Sequence, residues 1–374
     1  MNIATIAEMA AQGRPDGVAV GSGASAVTYA GLYDRSRAVA AWLAARGIRT
    51  VMFIDTNSVA APVLLFACAL SGAAYAPLNY RLPDGELAAL VQRNAPCLVV
   101  TGDGMRERLP ALRGVEVLTR GQLAQIASTL GASASVPDGS GAVPVPADSD
   151  AVAALIHTSG TSGAPKAAVL RHRHLSSYVL STVDFMAADP ADAALVSLPP
   201  YHVAGVAAIL TGVYGGRRML YLDAFDPAGW VRLARDEKVT HAMVVPTMLE
   251  RILDVLGSTG ERLPALRHLS YGGGRMPLPV VERALTLLPH VDFVNAYGLT
   301  ETSSTIAVLT AEDHRTAIAS PDPLVRQRLG SVGRPIPALE LQIRDDAGRP
   351  VPAGEPGEVY VRGEQVAGEY LGAA

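Results

Sequence analysis

Short apolar runs rich in β-branched residues alternate with stretches of helical periodicity through most of this chain. Runs at 51–54, 98–101, 153–156, 195–198, 219–222, 242–245, 266–270 and 291–295 predict strands. Between them, 84–93, 226–236, 246–256 and 277–288 carry the spacing of helices, several opened by Asp or Pro as helix starts favour. Strand–helix alternation of this kind implies an α/β fold: two doubly wound, mainly parallel sheets with flanking helices. The Gly-, Ser- and Pro-rich stretch 131–150 predicts an exposed linker between them. Beyond residue 310 the pattern changes to short strands at 339–344 and 358–362 with turns at 345–348 and 352–357, which predicts a small β-barrel lobe. The expected division is therefore a first α/β subdomain at 1–140, a second at 151–310 and the small lobe at 311–374.

Two segments test this reading. Residues 56–80 carry no charge and are long enough to span a membrane. Pro62, Ser71-Gly72 and Pro77 divide them, so 59–70 is predicted as a buried helix instead. Gly21-Ser-Gly23-Ala-Ser-Ala26 imitates part of a dinucleotide fingerprint. It is followed by the strand-like Val27-Thr28-Tyr29 with no helix, so a hairpin is expected there.

Composition narrows the function classes. At 374 residues and 49% hydrophobic, the chain can bury a large core and more than one lobe. A net charge of −4 with 18% charged residues argues against a nucleic-acid binder. Cys68 and Cys97, both in apolar surroundings, are too few for a disulfide framework, and a reducing cytoplasm fits. Met1-Asn2-Ile3-Ala4-Thr5 lacks the basic start and apolar block of a secretory signal. Lys166 and Lys238 are the two lysines, arginine supplying every other basic side chain.

Lys166 stands where the chemistry is concentrated. The apolar run 152–156 ends in His157-Thr158-Ser159-Gly160-Thr161-Ser162-Gly163-Ala-Pro165-Lys166. Glycines let a backbone turn several N–H groups toward one anion, the hydroxyls add donors, and the lysine adds a charge, a set suited to a polyphosphate. Taken alone, such a loop is equally a polar connection. It is not a Walker A motif, because Pro165 and not Gly precedes the lysine. It is not a serine-hydrolase elbow either, because Gly160-Thr-Ser162-Gly-Ala164 lacks the final glycine. Four more segments follow predicted strands, where open α/β sheets gather ligands. They are Leu198-Pro-Pro-Tyr-His202-Val-Ala-Gly205, Ser270-Tyr-Gly-Gly-Gly-Arg-Met-Pro277, Asn295-Ala-Tyr-Gly-Leu-Thr-Glu301 and Gly330-Ser-Val-Gly-Arg-Pro-Ile-Pro337. His172-Arg-His174 invites a metal reading, but without further ligands a helix start with solvated polar residues is expected.

Together, and in this order along essentially the whole chain, these segments resemble the adenylate-forming superfamily, in its acyl- and aryl-CoA ligase branch. The resemblance implies that Thr158, Ser159, Gly160, Thr161, Ser162, Gly163 and Lys166 cradle the outer phosphates of ATP. It implies that Gly272, Gly273 and Gly274 lie along the adenine with Tyr297 stacked on its other face, and that Arg275, Asn295, Ala296 and Gly298 also border the nucleotide. Thr300 is expected on phosphate, and Glu301 on Mg²⁺ between the phosphates. The chemistry agrees, since a carboxylate beside a phosphate needs a cation between them, although Glu301 alone would read as a solvated acid and Tyr297 alone as core. His202 is expected beside the acyl carboxylate, with Val203, Ala204, Ala207, Met243, Ala296, Gly298 and Ser304 lining the acid's pocket. Amino-acid-activating relatives usually place an aspartate near His202 to pair the substrate ammonium. Tyr201-His202-Val203 offers no carboxylate, so a neutral or aromatic acid fits better.

The implied activity is conversion of a carboxylic acid and ATP to acyl-AMP, then transfer to coenzyme A, with Lys166, His202, Thr300 and Glu301 as the catalytic set. Loading of an acyl carrier protein, or a non-catalytic nucleotide-binding module, are the alternatives; a homodimer is left open. Ala167 departs from the glycine usual after the lysine, and Arg275 from a common proline. Thr101-Gly-Asp103 resembles the family's ribose-binding triplet but lies too early to play that part. The sequence stops at Tyr370-Leu-Gly372 and two alanines, before the ribose-binding aspartate, the hinge and a C-terminal domain with its catalytic lysine, for which Lys238 cannot substitute. The expectation is an N-terminal fragment or truncation with severely impaired activity.

Overall fold

Two β-sheets with helices packed between and around them organise the computed structural model, which describes residues 1–133, 145–158 and 166–372. The first sheet has six strands in the order Val115–Thr119, Cys97–Thr101, Thr50–Ile54, Ala74–Pro77, Val152–Thr158 and Lys166–Arg171. It is parallel except for its last pair. The second has nine strands in the order Arg334–Pro335, Ser304–Leu309, Asp292–Leu299, His268–Gly272, His241–Val244, Ala193–Val196, Arg218–Tyr221, Val18–Val20 and Val27–Thr28. Its five central pairings are parallel, and antiparallel strands close both edges. The sheets interleave along the chain: residues 18–28 join the nine-stranded sheet, while 152–171 return to the six-stranded one.

The main core lies between the sheets. The uncharged segment forms the helix Ala60–Ser71, in which every residue from Ala60 to Leu70 is buried. An all-round apolar helix can only sit inside such a layer. Pro62 is tolerated in its first turn, and Gly72, at φ +72°, ends it with a left-handed cap. The apolar helix Val203–Gly215 packs into the same cluster from the nine-stranded side. Among the described residues no helix is long and apolar enough to cross a membrane.

Several expectations need correction. The hairpin at residues 18–28 is present, but Tyr29 opens a helix, Tyr29–Ala45, instead of continuing a strand. The Thr28 hydroxyl caps it by accepting the Gly31 N–H at 3.0 Å. The strand expected at 195–198 is Ala193–Val196; Pro199 and Pro200 have no N–H for a ladder, and the chain leaves the sheet before them. The helix Arg120–Ser133 occupies the start of the expected linker, and 134–144 lie outside the described residues.

No closed barrel forms beyond residue 310 among the described residues. Helices Ala311–Ala319 and Pro323–Arg326 come first, Arg334–Pro335 joins the large sheet, and Glu340–Arg344 pairs only with Glu358–Arg362. Two five-residue strands cannot close on themselves. Finally, His172 and His174 do start a helix, His172–Thr182, but both are buried and not solvated. His172 Nδ1 accepts the Ile3 N–H at 3.4 Å and His174 Nδ1 accepts the Arg171 N–H at 3.1 Å. No group of three or more His, Cys, Asp or Glu side chains capable of holding a metal occurs among the described residues.

Candidate active site

The parallel strands of the large sheet end on a cleft of about 630 Å³. Each predicted segment reaches it for a local reason. Val152–Thr158 and Lys166–Arg171 form an antiparallel hairpin in which Thr158 and Lys166 are directly paired, so both stand at the cleft edge. The turn between them, with Ser159, Gly160, Thr161, Ser162 and Gly163, lies outside the described residues. His202 sits at the start of the helix Val203–Gly215, and burial, aided by Arg81, lowers its pKa and keeps it a neutral imidazole.

Gly272 ends its strand against Ala296, and a Cβ there would run into the Ala296 carbonyl. Gly273 adopts φ +73°, a turn that glycine makes without strain. The two glycines therefore form a bare floor that a flat ring can approach. Thr300 and Glu301 fall in the tight turn Thr300–Thr302, which is locked from outside. Gln365 Nε2 donates to the Thr302 and Thr305 carbonyls, each at 2.9 Å, and the Ala367 N–H donates to the Glu301 carbonyl at 2.7 Å.

Not every predicted residue lines the cleft. Gly274 and Arg275 are exposed beyond it, and Asn295 Nδ2 instead donates to the Ser331 carbonyl at 2.9 Å. Tyr297 alternates with Ala296 and Gly298 along its strand, so its half-buried ring packs with Ile306, Ala307, Ile336 and Leu339. Tyr297 is not among the residues that line the cleft.

A second pocket of about 340 Å³ shares walls with the cleft at Leu198, Ala204, Met243, Ala296, Ser304 and Thr305. Ala207 lines this inner pocket, while His202, Val203 and Gly298 line the outer cleft. Every residue expected around the acid is accordingly found on one of two cavities that share walls.

Tyr370 was not foreseen. Its hydroxyl donates to Glu301 Oε1 at 2.6 Å, and its ring lies 5.5 Å from Lys166 Nζ. Residues 369–371 are stitched to the Lys166 strand by the Val169 N–H to the Glu369 carbonyl and the Leu371 N–H to the Ala167 carbonyl, at 2.9 and 2.8 Å. His157 was also missed as a lining residue. Its burial, with help from Arg93, lowers its pKa to about 4, so it is neutral. Only the polar interruption at the end of an apolar strand could have signalled it.

Glu301 is the one acidic side chain lining this cleft among the described residues. A single carboxylate suits a magnesium ion that takes its remaining ligands from phosphate and water, and would not make a stand-alone metal cage. The donor chemistry fits that ion only in company with a polyphosphate.

Residues 7–371 match the profile of the AMP-binding enzyme family. The chain belongs to that family. A feruloyl-CoA synthase of Amycolatopsis is 33% identical over 368 residues, 96% of this chain and 69% of that protein. A fatty acid–[acyl-carrier-protein] ligase, ScoC of Streptomyces coeruleorubidus, is 30% identical over 97% of this chain and 69% of its own length. The inhibitor-bound N-terminal domain of FACL13 from Mycobacterium tuberculosis shares the fold, with a TM-score of 0.82 at 24% identity over 100% of this chain and 91% of that one. In this AMP-binding family member the glycine floor and the Glu301 turn stand together at the strand ends.

Proposed function

We propose that the outer cleft binds ATP with Mg²⁺ and that the inner pocket holds a carboxylic acid, which is converted to acyl-AMP and then to an acyl-CoA thioester. The observation that carries this reading is the junction itself. Lys166, Glu301 and the glycine floor share one cleft, and that cleft has Ala296 and Ser304 as common walls with an inner pocket of about 340 Å³.

In this reading an oxygen of the carboxylate attacks the α-phosphorus, and the bond to the departing pyrophosphate breaks. Glu301 would hold the Mg²⁺, which supplies charge neutralisation between the phosphates. Lys166 offsets negative charge on the outer phosphates, and the neutral His202 can donate an N–H to the acid's carboxylate. The protein's part is positioning and electrostatics, the terms that dominate phosphoryl-type transfers. Coenzyme A is taken as the thiol acceptor because the 33% identical relative is a CoA synthase. Turnover with an acyl carrier protein but not with coenzyme A would replace that part of the proposal.

Lys166→Ala is expected to weaken ATP binding by about 1.5–3 kcal/mol, the worth of a charge-assisted contact, while AMP binding holds. Calorimetry with both nucleotides decides it; equal losses would move Lys166 away from the outer phosphates. Tyr370→Phe keeps the ring against Lys166 and removes only the O–H donated to Glu301. It is expected to weaken ATP binding in the presence of Mg²⁺ by roughly 1 kcal/mol and leave AMP affinity unchanged. An unchanged ATP titration would show that the contact does not position Glu301.

A further inference from the structure

The inner pocket is not apolar to its end. Its floor is built by alternate residues of neighbouring strands, set side by side by the register. Next to the cleft stand Gly272 and Ala296; the following row is Val196, Met243, Ser270 and Val294; the last is Ala194, His241 and His268. At this last row Arg217 also lines the pocket.

Arg217 is held ready for a partner it does not have. Its backbone is fixed on both sides, its N–H donating to the Gly212 carbonyl and its carbonyl accepting from the Tyr29 hydroxyl, each at 2.9 Å. Its Nε is buried without a hydrogen-bond partner, and among the described residues no carboxylate lies within ion-pair distance of its guanidinium. The acid nearest in its electrostatic surroundings, the buried Asp192, is ion-paired with Arg267 and accepts the Asp189 N–H.

The two histidines bring ring nitrogens; His268 Nδ1 also lies 3.6 Å from Asp292, whose carboxylate is ion-paired with Arg315. Their rings stack at 4.7 Å, and His241 Nδ1 is 2.8 Å from the Thr240 hydroxyl, which leaves Nε2 as its remaining ring nitrogen. Burial first, and then Arg217, pull the His241 pKa down to about 3. Arginine stays protonated even when buried. The far end of the pocket thus carries one half-buried cation without an ion pair, beside the half-buried His241 and the exposed His268, and its buried Nε costs free energy if an alkyl chain is all that faces it.

We propose that the acid bound here is a dicarboxylate: the carboxylate at the cleft is activated, and a second carboxylate at the far end pairs with Arg217. This deepens the proposed acid-activating reading and rests on it. The rows of Gly272 and His268 are four residues apart, roughly 13 Å at strand rise. Less about 3 Å for the ion pair itself, the two carboxylates should stand roughly 10 Å apart, the reach of a nine-carbon α,ω-diacid.

The test uses three non-hydrolysable acyl-sulfamoyl adenosines that differ only at the acyl terminus: azelaoyl (carboxylate), nonanoyl (methyl) and 9-hydroxynonanoyl (hydroxyl). Binding to the 374-residue chain is measured by calorimetry, with AMP as the reference. The carboxylate probe is expected to bind at least tenfold more tightly than either of the others. Arg217→Met should abolish that preference without changing AMP affinity, and Arg217→Lys, which keeps the charge, should retain part of it. Thermal melts of both variants separate loss of recognition from loss of fold; if Arg217→Met melts early, the Lys variant and the three-probe comparison on the parent carry the decision. Equal binding of the three probes, tighter binding of the hydroxyl or methyl probe, or a preference that survives in Arg217→Met would overturn the assignment while leaving adenylation intact. Failure of AMP and all three probes to bind would instead overturn the adenylation reading, and this inference with it.

Discussion

Glu301→Gln is expected to abolish the Mg²⁺-dependent part of ATP binding while leaving AMP affinity and the fold in place. The exchange preserves shape, and the amide oxygen can still accept the Tyr370 hydroxyl that now donates to Glu301 at 2.6 Å. What disappears is the negative charge that a hard cation requires from its one protein carboxylate. Because no other acid lines the cleft among the described residues, no neighbour can take over. ATP titrations with and without Mg²⁺ give the readout. A variant that responds to the ion as the parent does would remove Glu301 from metal binding.

Gly298→Ala should be the most damaging single methyl group in the site. A Cβ at Gly298 would overlap the Ser304 carbonyl and come within 2.9 Å of Thr305 Cα, both backbone atoms of the paired strand. Backbone cannot rotate out of the way as a side chain can. The pair must separate just where the register already shifts between Tyr297 and Gly298. Overpacking of this kind costs about 3 kcal/mol. The same displacement moves Ser304 and Ala296, which line both cavities. A lowered melting temperature together with loss of acyl-adenylate binding is expected. Parent-like melting and binding would mean that the strand pair has slack.

The elements that sequence pattern foretold are those whose signals are local. The helix Asp84–Arg93 has the predicted limits because Asp84 and Glu86 stand in its first turn and Arg93 in its last. The strand Thr50–Ile54 is a buried apolar run that turn residues bound on both sides. The cleft residues were legible for the same reason, since Gly272, Thr300 and Glu301 lie in short motifs at strand ends.

What escaped depends on partners far away in the chain. His172 is buried because a backbone N–H 169 residues distant needs its ring nitrogen. Tyr370 matters only because the fold brings it to Glu301, 69 residues back. The packing of Tyr297 with Ile336 and Leu339 likewise depends on residues that lie outside its own motif. The unpaired state of Arg217 has no sequence signature, because an arginine's lack of a partner is a property of three dimensions only.

The interleaving of the two sheets has a consequence for how the chain acquires its structure. Val18–Val20 completes its place in the large sheet only beside Arg218–Tyr221, and the Tyr29 hydroxyl finds the Arg217 carbonyl 188 residues later. During synthesis the first hairpin and the helices around it must therefore wait, with apolar faces uncovered, until most of the chain has emerged. Contacts of such long sequence separation slow folding, because loop closure must be met before the contact rewards it. A nascent chain halted before residue 218 would hold an unpaired strand edge and an open core, the conditions under which aggregation competes with folding.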